Sequence, residues 1–131
     1  MKRAGFTMIE LIFVIVILGI LSAVALPKFI GVSEQAKAGK CKGFIGTMNR
    51  TVLPALWSDA MLAGTTPAAA ADFNATAIDA QIDVPTECGS STTIAAALAG
   101  TAQTLTLGAQ TYTIDLNNTI SVNASPVLNF R

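Results

Sequence analysis

The sequence contains no histidine and only two cysteines in 131 residues. The lack of histidine removes the side chain most often used as a general base and as a zinc ligand. Two cysteines are too few for a cysteine-rich metal site, although they can form one disulfide outside the cytoplasm. Because no convergent catalytic set is visible either, the composition argues against an enzyme. Neither a cofactor nor a metal site is expected.

Charged residues are scarce, at 12% of the chain, and they balance at 8 basic and 8 acidic. A net charge of zero gives no electrostatic signal for nucleic acid, so no nucleic-acid partner is expected. The scarcity is local, because no charged residue occurs from Leu11 to Leu26. The rest of the chain has the composition of an Ala- and Thr-rich globular domain.

The apolar run predicts a membrane-spanning helix over residues 6–27. Phe6 to Leu26 is 21 residues, which as a helix is about 31 Å long and enough to cross the hydrocarbon core of a bilayer. Lys2 and Arg3 precede this run and should hold its N-terminal end on the cytoplasmic side. The remainder of the chain is therefore expected outside.

Pro27 ends the apolar run and predicts a kink or a loosened turn between Gly19 and Pro27. Gly19 and Ala23 form a pair of small residues four apart, which allows close approach of another helix. Small residues are also common in membrane helices for no specific reason, so this pair does not decide between the two interpretations.

Residues 28–62 continue as an amphipathic helical region. Apolar residues recur at three- and four-residue steps and predict one buried stripe, which needs a small domain to cover it: Cys41, Phe44, Ile45, Met48, Val52 and Leu56. Pro54 should end or bend this helix. A further helical stretch is expected from Leu53 to Leu62.

Residues 63–131 are expected to form a globular head. The segment Thr65–Thr93 suggests a loop with little regular structure. Beyond it, apolar residues alternate at period two, and Asn117 with Asn118 suits a tight turn; the alternating residues are Leu105, Leu107, Tyr112, Ile114, Leu116, Ile120 and Val122. The expected fold is α+β, with a long N-terminal helix packed on a small antiparallel sheet of three or four strands.

Glu10 is the unusual residue of the apolar segment. A carboxylate inside a membrane helix costs on the order of 2.5–3.5 kcal/mol unless it is paired. A secretory signal peptide, with Ser22–Ala25 as its cleavage site, or a plain membrane anchor would not explain it. Helix-dipole stabilisation at the N-terminus is worth about 0.3–1 kcal/mol, which is too little to offset burial in lipid.

The N-terminal segment resembles the class III signal of bacterial type IV pilins and pseudopilins. The matching residues are Gly5, Phe6, Thr7, Glu10, the apolar run Leu11–Leu26 and Pro27. The resemblance implies a leader of residues 1–5, removed by a prepilin peptidase between Gly5 and Phe6. It also implies N-methylation of Phe6 after cleavage.

The resemblance further implies a structural subunit of a pilus-like helical filament built from many copies of the chain. In the family, the glutamate corresponding to Glu10 pairs with the N-terminal amine of a neighbouring subunit, here that of Phe6. Membrane lipid and the inner-membrane assembly machinery are then partners, with the head on the periplasmic side before export. The alternatives are a pseudopilin of a type II secretion system and, more distantly, a membrane-anchored binding or enzymatic domain.

The cysteine pattern departs from that of many type IV pilins, which close a C-terminal loop with two cysteines. Here no cysteine follows Cys88. A disulfide would instead join Cys41 on the helix to Cys88, and we favour it because the head is expected outside the cytoplasm. The alternative is two free thiols, since Cys41 also suits the buried stripe.

Two weaker patterns remain. Scattered acids suggest a calcium site, but they lack a compact run of ligands, so solvated surface is the preferred interpretation: Asp72, Asp79, Asp83 and Glu87. Asn74 and Asn117 each begin an N-x-T glycosylation pattern with an acid two residues earlier. In a Thr-rich chain, chance is the preferred explanation of both.

Overall fold

The computed structural model describes residues 5–64, 70–117 and 125–131. The chain divides into two compact units, with the boundary in the sequence between Gln35 and Ala36. Helix α1, Met8–Thr47, contributes to both.

The N-terminal unit is helical from Met8 onward and its apolar side chains are exposed. Phe6 is 88% exposed, and apolar side chains remain exposed along α1 as far as Val32. Helix α1 continues through Pro27, while the bend expected there stays a prediction. By length and composition the helical segment is able to cross a membrane, as the sequence indicates.

The C-terminal part of α1 leads into a π-helical turn, Met48–Val52, and then into helix α2, Leu53–Leu62. The backbone N–H of Leu53 donates to the Met48 carbonyl, five residues back. Pro54 explains the wider turn, because it has no N–H and its ring crowds the carbonyl of Arg50 four residues earlier. The α-helix is thus interrupted by a π-helical turn just before Pro54, and the predicted helical stretch from Leu53 to Leu62 is confirmed.

The predicted stripe of α1 and its continuation is confirmed, since all six of its members are buried. It forms one apolar core with side chains from the rest of the second unit, which are Leu53, Phe73, Ile78, Cys88, Ile94, Ala97, Leu98, Ile114 and Leu128. The amphipathic period of the helix therefore identifies the part of the core that the stripe supplies.

The segment expected to be a loop contains regular structure, so that prediction is wrong. A 3-10 turn, Ala70–Phe73, precedes helix α3, Ala75–Gln81. A second 3-10 turn, Thr86–Cys88, precedes helix α4, Ser91–Leu98.

The starts of these two helices explain why they form. The side chain of Asn74 accepts from the N–H of Ala77 at 2.9 Å and caps α3. Ser90 and Thr93 form a reciprocal capping box at the start of α4. Alanine and threonine fill much of both helices, so they show little of the apolar periodicity on which the sequence analysis depended.

Within the described residues the sheet has three strands in the order β1-β2-β3, and they are antiparallel, as predicted. They are β1, Gln103–Leu107; β2, Gln110–Leu116; and β3, Leu128–Phe130. Helix α4 packs on β1 and β2. The predicted strand residues Leu105, Leu107, Tyr112, Ile114 and Leu116 lie in β1 and β2, which confirms them.

The described hairpin turns at Gly108 and Ala109, between β1 and β2. Gly108 has φ +66°, a conformation that favours glycine. The predicted turn at Asn117 and Asn118 and the predicted strand residues Ile120 and Val122 lie mostly outside the described residues, since of these only Asn117 is described.

Candidate functional site

The candidate assembly site begins where helix α1 begins. Gly5, Phe6 and Thr7 are non-helical and exposed, and Met8 is the first helical residue. The backbone N–H of Leu11 donates to the Thr7 carbonyl at 3.2 Å, closing the first turn. The expected cleavage position, between Gly5 and Phe6, therefore lies in non-helical, accessible backbone.

Thr7 and Glu10 form a reciprocal cap on this helix. The Thr7 N–H and hydroxyl donate to Glu10 Oε2 at 2.9 and 2.7 Å. In return the Glu10 N–H donates to Thr7 Oγ1 at 3.4 Å. This is the arrangement of a capping box, in which helix-end donors that lack an intrahelical partner are satisfied.

Sequence reasoning placed Thr7 in the family motif but missed its role as a cap. The spacing T-x-x-E before an apolar run was the signal that could have revealed it. Both donors from Thr7 reach the carboxylate at Oε2. Glu10 therefore has a structural role within its own chain in addition to any role toward a neighbour.

Phe6 and Glu10 line the same shallow surface depression, together with Ile9, Phe13 and Val14. The structure thus brings together, at the start of α1, the two residues expected to pair between subunits. Apart from Glu10 this surface is apolar, so a partner that covers it must be apolar with one cation placed opposite the carboxylate.

A second functional region lies in the C-terminal unit, where Cys41 and Cys88 form a disulfide. Their Cα atoms are 5.2 Å apart, within the usual range. The pairing favoured from the sequence is confirmed. Both sulfurs belong to fully buried residues of the core, so the bond joins α1 to the 3-10 turn Thr86–Cys88 from within.

An ion pair lies one residue away from each cysteine. Lys40 Nζ is 3.1 Å from Glu87 Oε1 and 3.0 Å from Oε2. The pKa of the Glu87 carboxyl lies below its usual 4.5, first because its own backbone N–H donates to it and then because Lys40 does. The same two segments are therefore joined twice, once by a covalent bond and once by an ion pair.

The scattered acids do not converge. Among the described residues, no three His, Cys, Asp or Glu side chains group as a metal site. Glu87 is engaged by Lys40, and Asp79 accepts from the Ser91 hydroxyl at 3.0 Å.

The two candidate glycosylation residues, Asn74 and Asn117, are both exposed. Asn74 uses its Oδ1 to cap α3, and Asn117 Oδ1 accepts from Asn129 Nδ2 at 2.9 Å. Neither role removes the side chain from solvent, and glycosylation at both positions stays a prediction.

Comparison with known proteins identifies the N-terminal segment. Residues 1–26 match the family model of the prokaryotic N-terminal methylation motif. A stretch of 36 residues is 56% identical to the type IV narrow pilus major component PilA5 of Thermus thermophilus. That stretch is 28% of this chain and 31% of the relative, so the match spans about a third of the relative's length. No solved structure matches the chain.

Proposed function

We propose that the chain is a type IV pilin-family protein and the structural subunit of a pilus-like extracellular filament, on the similarity of its N-terminal segment to the methylation motif and to a type IV pilin. The observation that carries the proposal is the position of Glu10. It is the sole charge among the exposed apolar residues from Phe6 to Leu26, and it lies beside Phe6, the residue at which processing would create an amine.

The proposal divides the chain into four parts. Residues 1–5 are the leader, residues 6–27 the membrane and filament-core helix, residues 28–62 the amphipathic region and residues 63–131 the head. Prepilin peptidase cuts between Gly5 and Phe6, where the non-helical backbone supports access by a protease, and Phe6 is then methylated. Thr7 and Glu10 both lie after the cut, so the helix cap survives processing.

Assembly in this proposal is driven by the apolar surface of α1 and directed by Glu10. Soluble proteins rarely leave so continuous an apolar surface uncovered, so lipid covers it in the precursor and neighbouring helices cover it in the filament. The Phe6 amine of one subunit pairs with the Glu10 carboxylate of another. Leaving either charge buried without its partner would cost roughly 3–5 kcal/mol, and this cost selects one axial register.

The disulfide supports the proposed location of the head. Disulfides persist in oxidising compartments such as the bacterial periplasm and the cell surface. The Cys41–Cys88 bond is therefore consistent with a precursor held in the inner membrane with its head in the periplasm, before transfer to an extracellular filament. The role is structural, with no catalytic step assigned to the chain.

The test is expression of the full chain with a prepilin peptidase and a type IV pilus assembly system, in a strain that lacks its own major pilin. Shearing the cells should release filaments visible by electron microscopy, containing this chain with methylated Phe6 at its N-terminus. Processed subunits that stay in the membrane, with filaments appearing only on overexpression with a type II secretion system, would favour the pseudopilin alternative instead.

A further inference from the structure

The C-terminal unit carries a cleft that the proposed function does not use. It has a volume of about 210 Å³ and lies where helix α1 approaches the ends of β2 and β3. Its lining, named here the Lys42 cleft, consists of Ala38, Gly39, Lys42, Tyr112, Phe130 and Arg131. Small residues form one side, aromatic rings another, and two cations lie at its margin.

Two stacked aromatic rings form part of the wall of the cleft. The rings of Tyr112 and Phe130 lie 5.0 Å apart at an interplanar angle of 9°. A stacked pair of this kind is a rigid surface that loses little conformational freedom when something binds to it. On the opposite side, a Cβ added at Gly39 would meet no atom within 4 Å, so the cleft is open there.

One of the two cationic side chains of the cleft already has an ion-pair partner. The Arg131 guanidinium donates to Asp115 Oδ2 at 2.6 Å and is thereby neutralised. Lys42 is exposed and forms no ion pair with any residue of the described segments. The cleft therefore offers one free ammonium group beside an aromatic wall, which suits a carboxylate.

The size of the cleft favours a side chain over an organic ligand. Pockets for drug-sized molecules usually enclose about 300–1,000 Å³, whereas this cleft is smaller and open. One or two short acidic side chains presented on a protein surface fit both its volume and its charge.

The chain itself presents such side chains at another place. Asp79 lies in the last turn of α3 and Asp83 follows just after its end, both exposed, and that turn contains no basic residue. Negative charge at a helix C-terminus opposes the helix dipole, so a cation supplied from outside would be favourable there. By contrast, Glu87 and Asp115 already form ion pairs within the chain, whereas the hydrogen bond that Asp79 accepts from Ser91 leaves its charge unbalanced.

We propose that the Lys42 cleft of one subunit receives the acidic end of α3, with Asp79 and Asp83, from a second copy of the chain. The two surfaces differ, so the contact is heterologous, and contacts of this kind do not close as two-fold dimers but generate rings or open helical assemblies. The inference deepens the proposed function and rests on it, because the filament is what places many copies side by side.

The decisive experiment is crosslinking in the full, processed chain. Gly39→Cys places a thiol in the cleft, and Gln81→Cys places one beside the acids while leaving both acids intact. A short bismaleimide applied to cells under non-reducing conditions should link the double variant into ladders of covalent oligomers. Each single variant should give no ladder, and Gly39→Cys with Ser58→Cys, an exposed position on α2, is the matched control pair.

The outcomes separate this inference from the function on which it rests. Filaments without crosslinked ladders would overturn the cleft contact and leave the filament subunit standing. Ladders in the membrane without surface filaments would uphold the contact and overturn the filament. Ladders of equal intensity from the control pair would show unspecific proximity and overturn the contact.

Charge reversal gives an independent measure. Lys42→Glu should lower filament yield at least about tenfold, because like charges then meet at the contact. Combining Lys42→Glu with Asp79→Lys and Asp83→Lys should restore much of the yield. Arg50→Glu, the same charge change on an exposed residue outside the cleft, should keep it. Absence of rescue, or an equal loss with Arg50→Glu, would contradict the proposed pairing.

Discussion

The Asn49 carboxamide forms two hydrogen bonds with the backbone of Leu128, 79 residues away. Its Nδ2 donates to the Leu128 carbonyl and its Oδ1 accepts from the Leu128 N–H, both at 2.8 Å. On the other side, Val127 and Arg131, which flank β3, form backbone hydrogen bonds with Asn117 and Thr113 at the β2 side. Asn49 thus acts as one residue of an additional strand, and from within the π-helical turn it satisfies the backbone N–H and carbonyl of Leu128 at the outer edge of β3.

Asn49→Ala should lower the free energy of unfolding by about 1–3 kcal/mol, because it leaves partly buried backbone groups of Leu128 without partners. Asn49→Asp should be worse than Asn49→Ala, since it replaces the donor by a negative charge facing the Leu128 carbonyl. Urea unfolding of the full chain in detergent, followed by circular dichroism, measures both. Asn129→Ala, which removes an exposed hydrogen bond to Asn117, is the control and should change stability far less.

The Asn49 contact also shows which kind of interaction cannot be predicted from local sequence patterns. The buried stripe was predictable because its signal is local, with Cys41, Phe44 and Met48 recurring at helical steps. A hydrogen bond across 79 residues leaves no local pattern. Strand β3 has three residues, which is too few to display a period of two. No local sequence pattern therefore predicts its place in the sheet.

Helices α3 and α4 were missed for a different reason. Each buries few large side chains, Ile78 in α3 and Ile94 with Leu98 in α4, so the apolar period is weak. The sequence signals that could have predicted these helices lie at their starts, where Asn74 caps α3 and Ser90 caps α4. The capping box T-x-x-E at Thr7 is a signal of the same kind. The candidate site was predictable in its residues, because the motif is compact and specific, but not in its capping geometry.

Removing the disulfide should destabilise the C-terminal unit strongly. Cys41 and Cys88 are 47 residues apart, and closing a loop of that length is worth about 4 kcal/mol in the chain-entropy model. The double variant Cys41→Ala with Cys88→Ala should lose about that much in urea unfolding. Dithiothreitol should produce a similar loss in the unsubstituted chain and no further loss in the double variant, and a stable reduced chain would contradict the expectation.

The Lys40–Glu87 pair should make stability depend on pH in the acid range. The folded pKa of Glu87 lies below its ordinary 4.5, because its own N–H and then Lys40 hydrogen-bond the carboxylate. The unfolded chain therefore takes up the proton first as pH falls. The contribution is present above pH 4.5 and is lost as pH falls from there through the folded pKa.

Thermal unfolding of the full chain against its Glu87→Gln variant checks this expectation. The difference in melting temperature between the two chains should be constant above pH 4.5 and should shrink as the pH falls below it. Lys40→Gln should reduce the same pH dependence of stability, because it removes the cation that hydrogen-bonds the Glu87 carboxylate. A difference that grows as the pH falls would show that the sign is wrong.

Processing should depend on Gly5 and not on glycine elsewhere in the segment. Gly5→Val should block removal of the leader, because a β-branched side chain crowds the scissile peptide, while the fold is unaffected since a Cβ at Gly5 meets no atom within 4 Å. Gly19→Val, at a glycine with equally open surroundings, is the matched control and should be processed. Intact-mass measurement of the membrane-extracted subunit distinguishes the two, and a new N-terminus near Ala25 in either would indicate an ordinary signal peptide.

Assembly should separate the two roles of Glu10, as a cap within its own chain and as a partner for a neighbour's amine. Thr7→Val removes the capping hydroxyl at a cost of about 0.5–2 kcal/mol in helix stability, but it keeps the carboxylate, so filaments should still form. Glu10→Gln retains an oxygen that accepts from Thr7 yet loses the charge, so a Phe6 amine would enter the filament core unpaired, at roughly 3–5 kcal/mol per subunit.

Glu10→Gln and Glu10→Ala should therefore both abolish filaments while membrane insertion stays normal or improves, and Glu10→Asp, one methylene shorter, should support partial assembly. The measurement is the yield of sheared filaments from strains that make one variant each, normalised to membrane levels by immunoblot. Normal filaments from Glu10→Gln together with none from Thr7→Val would reverse the assignment and make capping the essential role of this carboxylate.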